Sequence, residues 1–343
     1  MNNIRECSHS ELTAIITENF RRPDPELFEL ARAESLRHYG GRIFIRGLVE
    51  ISNYCKNDCL YCGIRRGNAR LKRYRLTPEA ILACVENGYG LGLRSFVMQG
   101  GEDPGLPDSV MTEVVREFRR RFTDASLTLS LGEKSPEVYR AFFEAGADRY
   151  LLRHETATKA HYDRLHPPGM DFHARISCLY TLKESGFQTG AGFMVGSPFQ
   201  TAQDLARDLL FLKELDPHMV GLGPFIAQED TPFALYPSGG AVETLVMLAL
   251  TKLMLPTAML PATTALVTIM NGERKPAFDA GANVVMPNIS PPDMRKLYTL
   301  YDGKVSTGAE SAEGLANLVE QIEAAGYTPE FSRGDHINHV ECS

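Results

Sequence analysis

The stretch RIFIRGLVEISNYCKNDCLYCG, residues 42–63, joins an apolar, β-branched run to three cysteines within eight positions. The run 42–52 predicts a buried strand, because such residues favour strands and turn-forming residues bound it on both sides. Cys55, Cys59 and Cys62 follow at once, with three and then two residues between them. This spacing lets one loop fold three thiolates around a common centre. The stretch therefore predicts a strand with a metal-binding loop at its carboxyl end.

Seven further apolar runs downstream have the length and boundaries of strands. They are SFVMQGG (95–101), LTLSLGE (127–133), RYLLRHE (149–155), TGAGFMVG (189–196), MVGLGPFI (219–226), PATTALVTI (261–269) and ANVVMPNI (282–289). Helical patterns fill most of the gaps, although the seventh gap, MNGERKPAFDAG (270–281), carries only a weak one. Eight alternations of strand and helix predict an α/β fold, a closed (β/α)8 TIM barrel. An open doubly wound sheet is the competing fold.

The segments outside these alternations are helical in pattern. Residues 1–40 predict a helical N-terminal extension, with candidate helices at ECSHSELTAIITENF (6–20) and DPELFELARAESLRHYG (24–40). Residues 41–343 form the predicted barrel, and SAEGLANLVEQIEAAG (311–326) supplies its last helix. No linker or low-complexity segment separates these parts, so we expect one domain overall.

Composition limits the classes of partner. The chain has 343 residues, of which 43% are hydrophobic, and a net charge of −7. The negative balance disfavours nucleic-acid binding. No apolar run reaches the roughly 18 residues that a membrane span needs, and MNNIRECSHSEL (1–12) lacks the apolar core of a signal peptide. We therefore expect a cytoplasmic protein that binds neither membranes nor nucleic acid.

The seven cysteines do not suggest disulfide bonds, since their number is odd and the chain is large. Cys84 and Cys178 lie in helical patterns and suit core packing. A structural zinc site usually has four ligands, and no second CxxC follows the cluster at 55–62. A [4Fe–4S] cluster normally takes four cysteines, so three would leave one iron open to a small ligand. The spacing favours the cluster, and zinc is the alternative.

The CxxxCxxC pattern, with Tyr61 just before the last cysteine, resembles the signature of the radical S-adenosylmethionine (SAM) superfamily. The resemblance implies that Cys55, Cys59 and Cys62 hold a [4Fe–4S] cluster whose open iron binds the amino and carboxylate groups of SAM. It also implies that one electron, delivered by a reductant, cleaves SAM to methionine and a 5′-deoxyadenosyl radical.

In a TIM barrel the functional residues lie at the carboxyl ends of the strands. After the second strand, Gly100, Gly101 and Glu102 resemble the GGE motif that binds the SAM amino group, and an ordinary turn is the alternative. At the fourth strand, Arg153 and Glu155 suit the SAM carboxylate and its ribose or ammonium group. A salt bridge at the barrel rim is the alternative reading of this pair.

Further candidates lie at the other strand ends and in the loops. Those for SAM contact are Tyr61, Arg175, Ile226 and Tyr298. The resemblance implies that Ser130, Thr263, Thr264 and Met286 lie at the substrate end of the cavity. Because side chains alternate along a strand, only one of Thr263 and Thr264 should face the barrel interior.

Nearly the whole chain resembles the HydE family of [FeFe]-hydrogenase maturases, in the biotin-synthase-like branch of the superfamily. The distinctive segments are SLGE (130–133), YLLRHETA (150–157), TGAGFMVG (189–196), VGLGPFI (220–226), PATTA (261–265) and GANVVMPN (281–288). The resemblance implies a step in building the organometallic 2Fe subcluster of [FeFe]-hydrogenase. In that step the adenosyl radical attacks the sulfur of an iron-bound cysteine carbonyl/cyanide complex, a small organometallic substrate supplied by other hydrogenase maturases.

Some members of that family carry extra cysteines for a second cluster after the last strand. YDGKVSTGAESAEG (301–314) has none, so we expect a single cluster. A methylornithine-synthase-like amino-acid mutase is the first alternative. Biotin synthase, a second alternative, would need cysteines for a sulfur-donor cluster inside the barrel. A non-catalytic iron–sulfur or zinc scaffold is an alternative from a different class.

Overall fold

Parallel strands close into a barrel in the computed structural model, which describes residues 3–305 and 308–339. The strands are β1 (Arg42–Ile45), β2 (Gly47–Ser52), β3 (Ser95–Gly100), β4 (Ser126–Ser130), β5 (Arg149–Leu151), β6 (Gln188–Ala191), β7 (Met194–Val195), β8 (Met219–Val220), β9 (Gly223–Pro224), β10 (Val284–Val285) and β11 (Thr328–Glu330). A parallel sheet runs in the order β2-β3-β4-β5-β6-β8, β7 pairs with β9, and β1 lies between β10 and β11.

Two isolated parallel bridges complete the circle. Met219 on β8 pairs with Met259, and Pro261 pairs with Val284 on β10. Since β10 also pairs with β1, the segment 259–261 fills the seventh position and no strand edge is left open there. The predicted (β/α)8 barrel is confirmed, and this closure excludes the open doubly wound sheet.

Helices surround the barrel. They are α1 (His9–Arg21), α2 (Pro25–Tyr39), α3 (Pro78–Gly90), α4 (Asp108–Arg121), α5 (Pro136–Glu144), α6 (Lys159–Leu165), α7 (Phe172–Glu184), α8 (Ala202–Leu215), α9 (Ala241–Met254), α10 (Thr264–Ile269), α11 (Lys275–Asp279), α12 (Pro292–Arg295) and α13 (Leu315–Ala324). Short 3-10 turns occur at Ile4–Glu6, Gly308–Glu310 and Ala312–Gly314. No helix in the described ranges is both long and apolar enough to cross a membrane.

Local sequence explains where several helices begin. Ser8 and Glu11 form a capping box at α1, in which each side chain binds the other residue's backbone N–H. Thr201 and Asp204 do the same at α8. Helix α3 starts at a proline after Thr77, whose side chain accepts the N–H of Ala80. The two N-terminal helices, α1 and α2, pack against α8 and α9 on the outside of the barrel.

Four strand predictions need correction. Two of them, 189–196 and 219–226, are each split into a pair of short strands, β6 with β7 and β8 with β9. The first strand is not continuous, because it is interrupted at the buried Arg46 between β1 and β2. The predicted seventh strand, 261–269, is wrong beyond its first residues, since α10 begins at Thr264. Thr263 caps this helix by accepting the N–H of Leu266 at 3.4 Å. The apolar run after it therefore forms a helix rather than a strand.

The C-terminal segment 331–339 closes the floor of the barrel, at the amino ends of the strands. Arg149 on β5 is fully buried, and its guanidinium donates to the carbonyl of Arg333 at 2.7 Å and to the carboxylate of Asp335 at 2.6 Å. Gln188 on β6 donates to the same carboxylate at 2.8 Å, and accepts the N–H of His336. The floor is thus held by hydrogen bonds to a buried charge.

Candidate active site

A cavity of about 300 Å³ opens at the carboxyl ends of the strands. It collects most of the residues singled out from the sequence, although they come from segments that lie far apart in the chain. Those that line it are Cys55, Cys59, Tyr61, Cys62, Gly100, Gly101, Glu102, Ser130, Arg153, Glu155, Arg175, Ile226, Thr263 and Tyr298. The structure therefore brings the cysteine loop, the glycine pair and the charged strand ends into one site.

The cysteine loop is held against its neighbours by backbone contacts. The N–H of Lys56 donates to the carbonyl of Glu102 at 2.8 Å, and that of Leu60 donates to Leu165 at 2.9 Å. A Cβ at Gly101 would lie 2.2 Å from the carbonyl oxygen of Tyr54, so only glycine permits this approach. This explains why a glycine follows β3: it lets the next loop pass directly over the cysteines.

The three thiols are suited to a cluster. Burial raises the pKa of each of Cys55, Cys59 and Cys62, to about 12 for Cys62, so binding of a metal group must displace their protons. Within residues 3–305 and 308–339, no group of three or more His, Cys, Asp or Glu side chains is arranged to hold a metal ion. Three thiols from one loop line one cavity and fit three corners of an iron–sulfur cube.

Arg175 on α7 lies against two carboxylates at the wall of the cavity. Its Nε is 2.9 Å from Oε1 of Glu133, and its Nη1 is 3.9 Å from Oε1 of Glu102. Burial lowers the pKa of Arg175, but the two carboxylates outweigh burial and raise it above its usual value. Lys56 also approaches Glu102, at 3.2 Å. The guanidinium is therefore a fixed positive charge beside the cysteines.

The end of β5 carries a second charged pair with a strained backbone. Glu155 has φ of 67°, a left-handed conformation that non-glycine residues adopt rarely and mostly at functional sites. Its Oε2 lies 3.1 Å from Nη2 of Arg153. Neither atom has a hydrogen bond of good geometry, and the same holds for Nε of Arg153 and of Arg175. Buried polar atoms of this kind fit a ligand that brings its own carboxylate and ammonium groups.

Two tyrosines bound the cavity. The hydroxyl of Tyr61 lies 3.4 Å from Nε2 of His166, and burial lowers the pKa of His166 to about 4. Tyr298 accepts a hydrogen bond from Gln99 at 3.4 Å. Burial raises the pKa of both tyrosines, so both remain neutral and act as polar walls.

The structure does not place Thr264 and Met286 at this cavity. Thr264 donates to the carboxylate of Glu310 at 2.6 Å, because the start of α10 turns it away from Thr263. Met286 lines a separate, smaller apolar cavity deeper in the barrel, together with Arg46 and Met219. Thr264 is the first residue of α10, and Met286 follows the last residue of β10.

Several residues that line the cavity were not predicted from the sequence. Gln99, Leu151, Leu152 and Pro224 lie at strand ends, where the barrel rule could have found them. Leu300 and Ala265 come from a loop and a helix start and carry no sequence signal, whereas Tyr301, in KLYTLYDG (296–303), is a sequence candidate for the cavity wall beside Tyr298. His154 is fully buried away from the cavity, with Nε2 3.3 Å from Oδ1 of Asp208 on α8.

Comparison with known proteins gives similarities to radical SAM enzymes in both sequence and structure. The pattern of the Radical SAM superfamily matches residues 49–212. The [FeFe] hydrogenase maturase subunit HydE of Thermotoga maritima is 44% identical over 95% of this chain and 92% of its own. The 3-methylornithine synthase of Methanosarcina acetivorans is 26% identical over 94% of this chain and 91% of its own. The crystal structure of a methylornithine synthase superposes with a TM-score of 0.79 and 24% identity, covering 95% of this chain and 96% of that one.

Proposed function

Because the chain belongs to the HydE family of radical SAM enzymes, we propose that it acts in the maturation of [FeFe]-hydrogenase. The observation that carries this proposal is the 44% identity to a HydE over almost the full length of both chains. The enzyme uses a [4Fe–4S] cluster and SAM, as its superfamily does, which excludes the zinc scaffold. These cofactors, when bound, supply a 5′-deoxyadenosyl radical, here proposed to attack the sulfur of an iron-bound cysteine carbonyl/cyanide complex.

We assign Cys55, Cys59 and Cys62 as the cluster ligands. They come from one loop that lines the cavity, and since burial raises the pKa of their thiols, binding of a metal group must displace their protons. The backbone near Gly100 and Gly101 can approach the amino group of SAM, because no side chain intervenes. The position of each residue at the cavity wall supports its assignment.

The charged groups would orient SAM. The fork of Arg175 suits the SAM carboxylate, and Glu155 suits the ribose hydroxyls or the ammonium group. Arg153 would keep the Glu155 carboxylate aimed into the cavity, since the two side chains lie 3.1 Å apart. Because these polar atoms are buried and otherwise poorly paired, they favour a ligand with matching charges over water.

We place the substrate beyond SAM, where Ser130 and Thr263 line the same cavity. Leu151, Leu152 and Ala265 make this part largely apolar, which excludes water from a reactive intermediate. Two hydroxyls would then donate to the cyanide or carboxylate of the substrate. The protein's contribution is binding, orientation and exclusion of water.

An amino-acid mutase remains the competing function, because the methylornithine synthases share the fold. The structural likeness concerns the fold alone. The 26% sequence identity to the 3-methylornithine synthase of Methanosarcina acetivorans is well below the 44% identity to HydE. We therefore favour the maturase.

The test is cell-free maturation of an apo-hydrogenase with two partner maturases, with and without this protein. Hydrogenase activity should depend on its addition. Equal activity in both mixtures would contradict the maturase function, and turnover of lysine by the purified enzyme would then support the mutase.

A further inference from the structure

The cysteine loop and the residues that follow it carry an unusual charge. Between Tyr54 and Arg75 the sequence has seven lysines and arginines and a single acidic residue, Asp58. The segment thus has a net charge of +6 in a chain whose net charge is −7. The positive charge is therefore concentrated on the loop that covers the cluster site, while the rest of the molecule is acidic.

Ion pairs neutralise only part of this charge. Arg65 pairs with Asp58 at 2.7 Å, Arg70 with Asp230 at 2.9 Å, and Arg75 with Asp103 at 2.6 Å. Lys56 approaches Glu102. These four pairs use four of the seven cations. Arg73 donates to backbone carbonyls, among them that of Ile64 at 2.8 Å, and such contacts leave its charge in place.

Three exposed cations have no carboxylate partner within the described ranges. Arg66 and Lys72 belong to the same segment, and Lys296 follows α12. We call these three residues the basic rim. Asn53 joins two parts of it, because its amide donates to the carbonyls of Lys72 at 2.9 Å and Leu297 at 2.8 Å. The N–H of Arg66 donates to the carbonyl of Asn57 at 2.8 Å, directly in the cysteine loop.

The basic rim is joined by hydrogen bonds to the segment that would hold the cluster. Asn53 immediately precedes Tyr54 and Cys55, and Tyr54 is 39% exposed. Asn57 and the three cysteines line the cavity and are only half-buried. The basic rim therefore borders the loop that carries the proposed cluster ligands.

We propose that the basic rim is the docking surface for an acidic, small one-electron carrier protein that reduces the cluster. In this step the carrier's reduced cofactor gives up one electron and the cluster accepts it, changing from the 2+ to the 1+ state, with no other bond made or broken. The proposal rests on the cluster and SAM of the family, and does not depend on which substrate the radical attacks.

Charge complementarity is the physical argument for an acidic partner. A patch of unpaired cations on an otherwise acidic molecule raises the local concentration of an anionic protein and orients it by its charge. The remaining acidic surface repels the same partner, so docking elsewhere is disfavoured. Since the attraction is between exposed charges, it should weaken as ionic strength rises past about 0.1 M.

The experiment compares two triple variants with the same change in net charge. The first, R66E/K72E/K296E, reverses the basic rim. The control, R21E/R22E/R207E, reverses three exposed cations on and beside α1 and α8, which likewise have no ion pair within the described residues. The probe is an acidic flavodoxin. Two quantities are measured: the affinity of the oxidised flavodoxin for each cluster-loaded protein at low salt, and the rate of 5′-deoxyadenosine formation with reduced flavodoxin or with dithionite.

We expect the rim variant to bind flavodoxin at least about tenfold more weakly than the wild type, with a shallower dependence on salt. Its rate with flavodoxin should fall while its rate with dithionite stays within twofold, and the control should match the wild type in every assay. Equal affinities for all three proteins, equal losses in both variants, or tighter binding of a single-stranded oligonucleotide than of flavodoxin would overturn the proposal. Binding is measured without turnover, so these outcomes stay distinct from a failure of hydrogenase maturation.

Discussion

Lys304 and Glu50 form an ion pair inside the barrel. Both side chains are nearly inaccessible to solvent, and Asn288 donates to the other oxygen of Glu50 at 2.7 Å. The ammonium of Lys304 also donates to the carbonyl of Tyr298 at 3.0 Å and lies 4.8 Å from the centre of its ring. The pair therefore fastens the loop that carries Tyr298 to β2, beneath the cavity.

Lys304→Met should lower the free energy of unfolding by about 3–5 kcal/mol, because it leaves a buried carboxylate unpaired. Burial already raises the pKa of Glu50, so in the variant this group should take up a proton. The loss of stability, measured by urea unfolding, should therefore be smaller at pH 5 than at pH 8. The double variant E50Q/K304M should recover much of the loss, and a loss that is independent of pH and of Glu50 would contradict this account.

Cys59→Ala should abolish the cluster. Anaerobic reconstitution of the wild type should give about four irons per chain and a brown protein. The variant should bind little iron, since two thiolates cannot hold the cube. Cys84→Ala is the control, because Cys84 is buried on α3 and does not line the cavity. Iron content and visible absorption distinguish the two, and zinc without iron in the wild type would refute the cluster assignment.

Arg175→Ala should weaken SAM binding by about 1.5–3 kcal/mol, or roughly 10- to 150-fold in Kd, as expected for a lost charged fork. The SAM affinity of Arg175→Lys should lie between those of the wild type and Arg175→Ala, because lysine keeps the positive charge but lacks the two-pronged guanidinium. Equilibrium binding of SAM to the cluster-loaded protein measures this effect. An unchanged Kd in Arg175→Ala would remove this residue from the SAM site.

Thr263 and Thr264 should behave differently, although they are neighbours. Thr263→Val removes a hydroxyl from the cavity and should lower hydrogenase activation severalfold while SAM cleavage continues, whereas Thr263→Ser should keep most activity. Thr264→Val loses its bond to Glu310 and should cost about 1 kcal/mol of stability with little effect on activation. Hydrogenase activation and urea unfolding are measured for the three variants. Loss of activation in Thr264→Val but not in Thr263→Val would contradict the prediction.

Asp335 should make the barrel floor sensitive to acid. Burial raises the pKa of this carboxyl, but Arg149, Gln188 and Arg333 outweigh burial and hold it at about 2. Its folded pKa lies below its unfolded value, so its contribution to stability is present above about pH 4 and is lost as pH falls toward 2. The difference in unfolding free energy between wild type and Asp335→Asn should shrink by about 2 kcal/mol over that range. A difference in unfolding free energy that stays the same from pH 4 to pH 2 would contradict this role of Asp335.

The sequence was sufficient for the barrel because most of the buried strands are followed by helical periodicity and turn residues. It was also sufficient to find most of the cavity, since the ends of parallel strands meet at one face. It failed at ALVTI (265–269), whose apolar run suits a strand or a helix equally well. There a cap at Thr263 decides in favour of α10, and that contact is visible only in three dimensions.

Met286 and Thr264 were misplaced for a related reason. Which way a side chain points depends on where the strand stops, and β10 is only two residues long. The Lys304–Glu50 pair was not predicted either, because it joins positions 254 residues apart. Neither residue type nor local spacing reports which distant charges will meet in a closed barrel.

The closure of the barrel floor has a consequence for biosynthesis. A ribosome delivers the chain from its N-terminus, so β5 emerges long before the segment that covers it. Until residues 333–335 leave the exit tunnel, Arg149 of the nascent chain lacks the Asp335 carboxylate and the Arg333 carbonyl, and has only the neutral side chains of Ser95, Ser126 and Gln188 as partners. Co-translational folding should therefore stall with an open floor, a state in which Ser126, Arg149 and Gln188 at the amino ends of the strands are open to water and to chaperones.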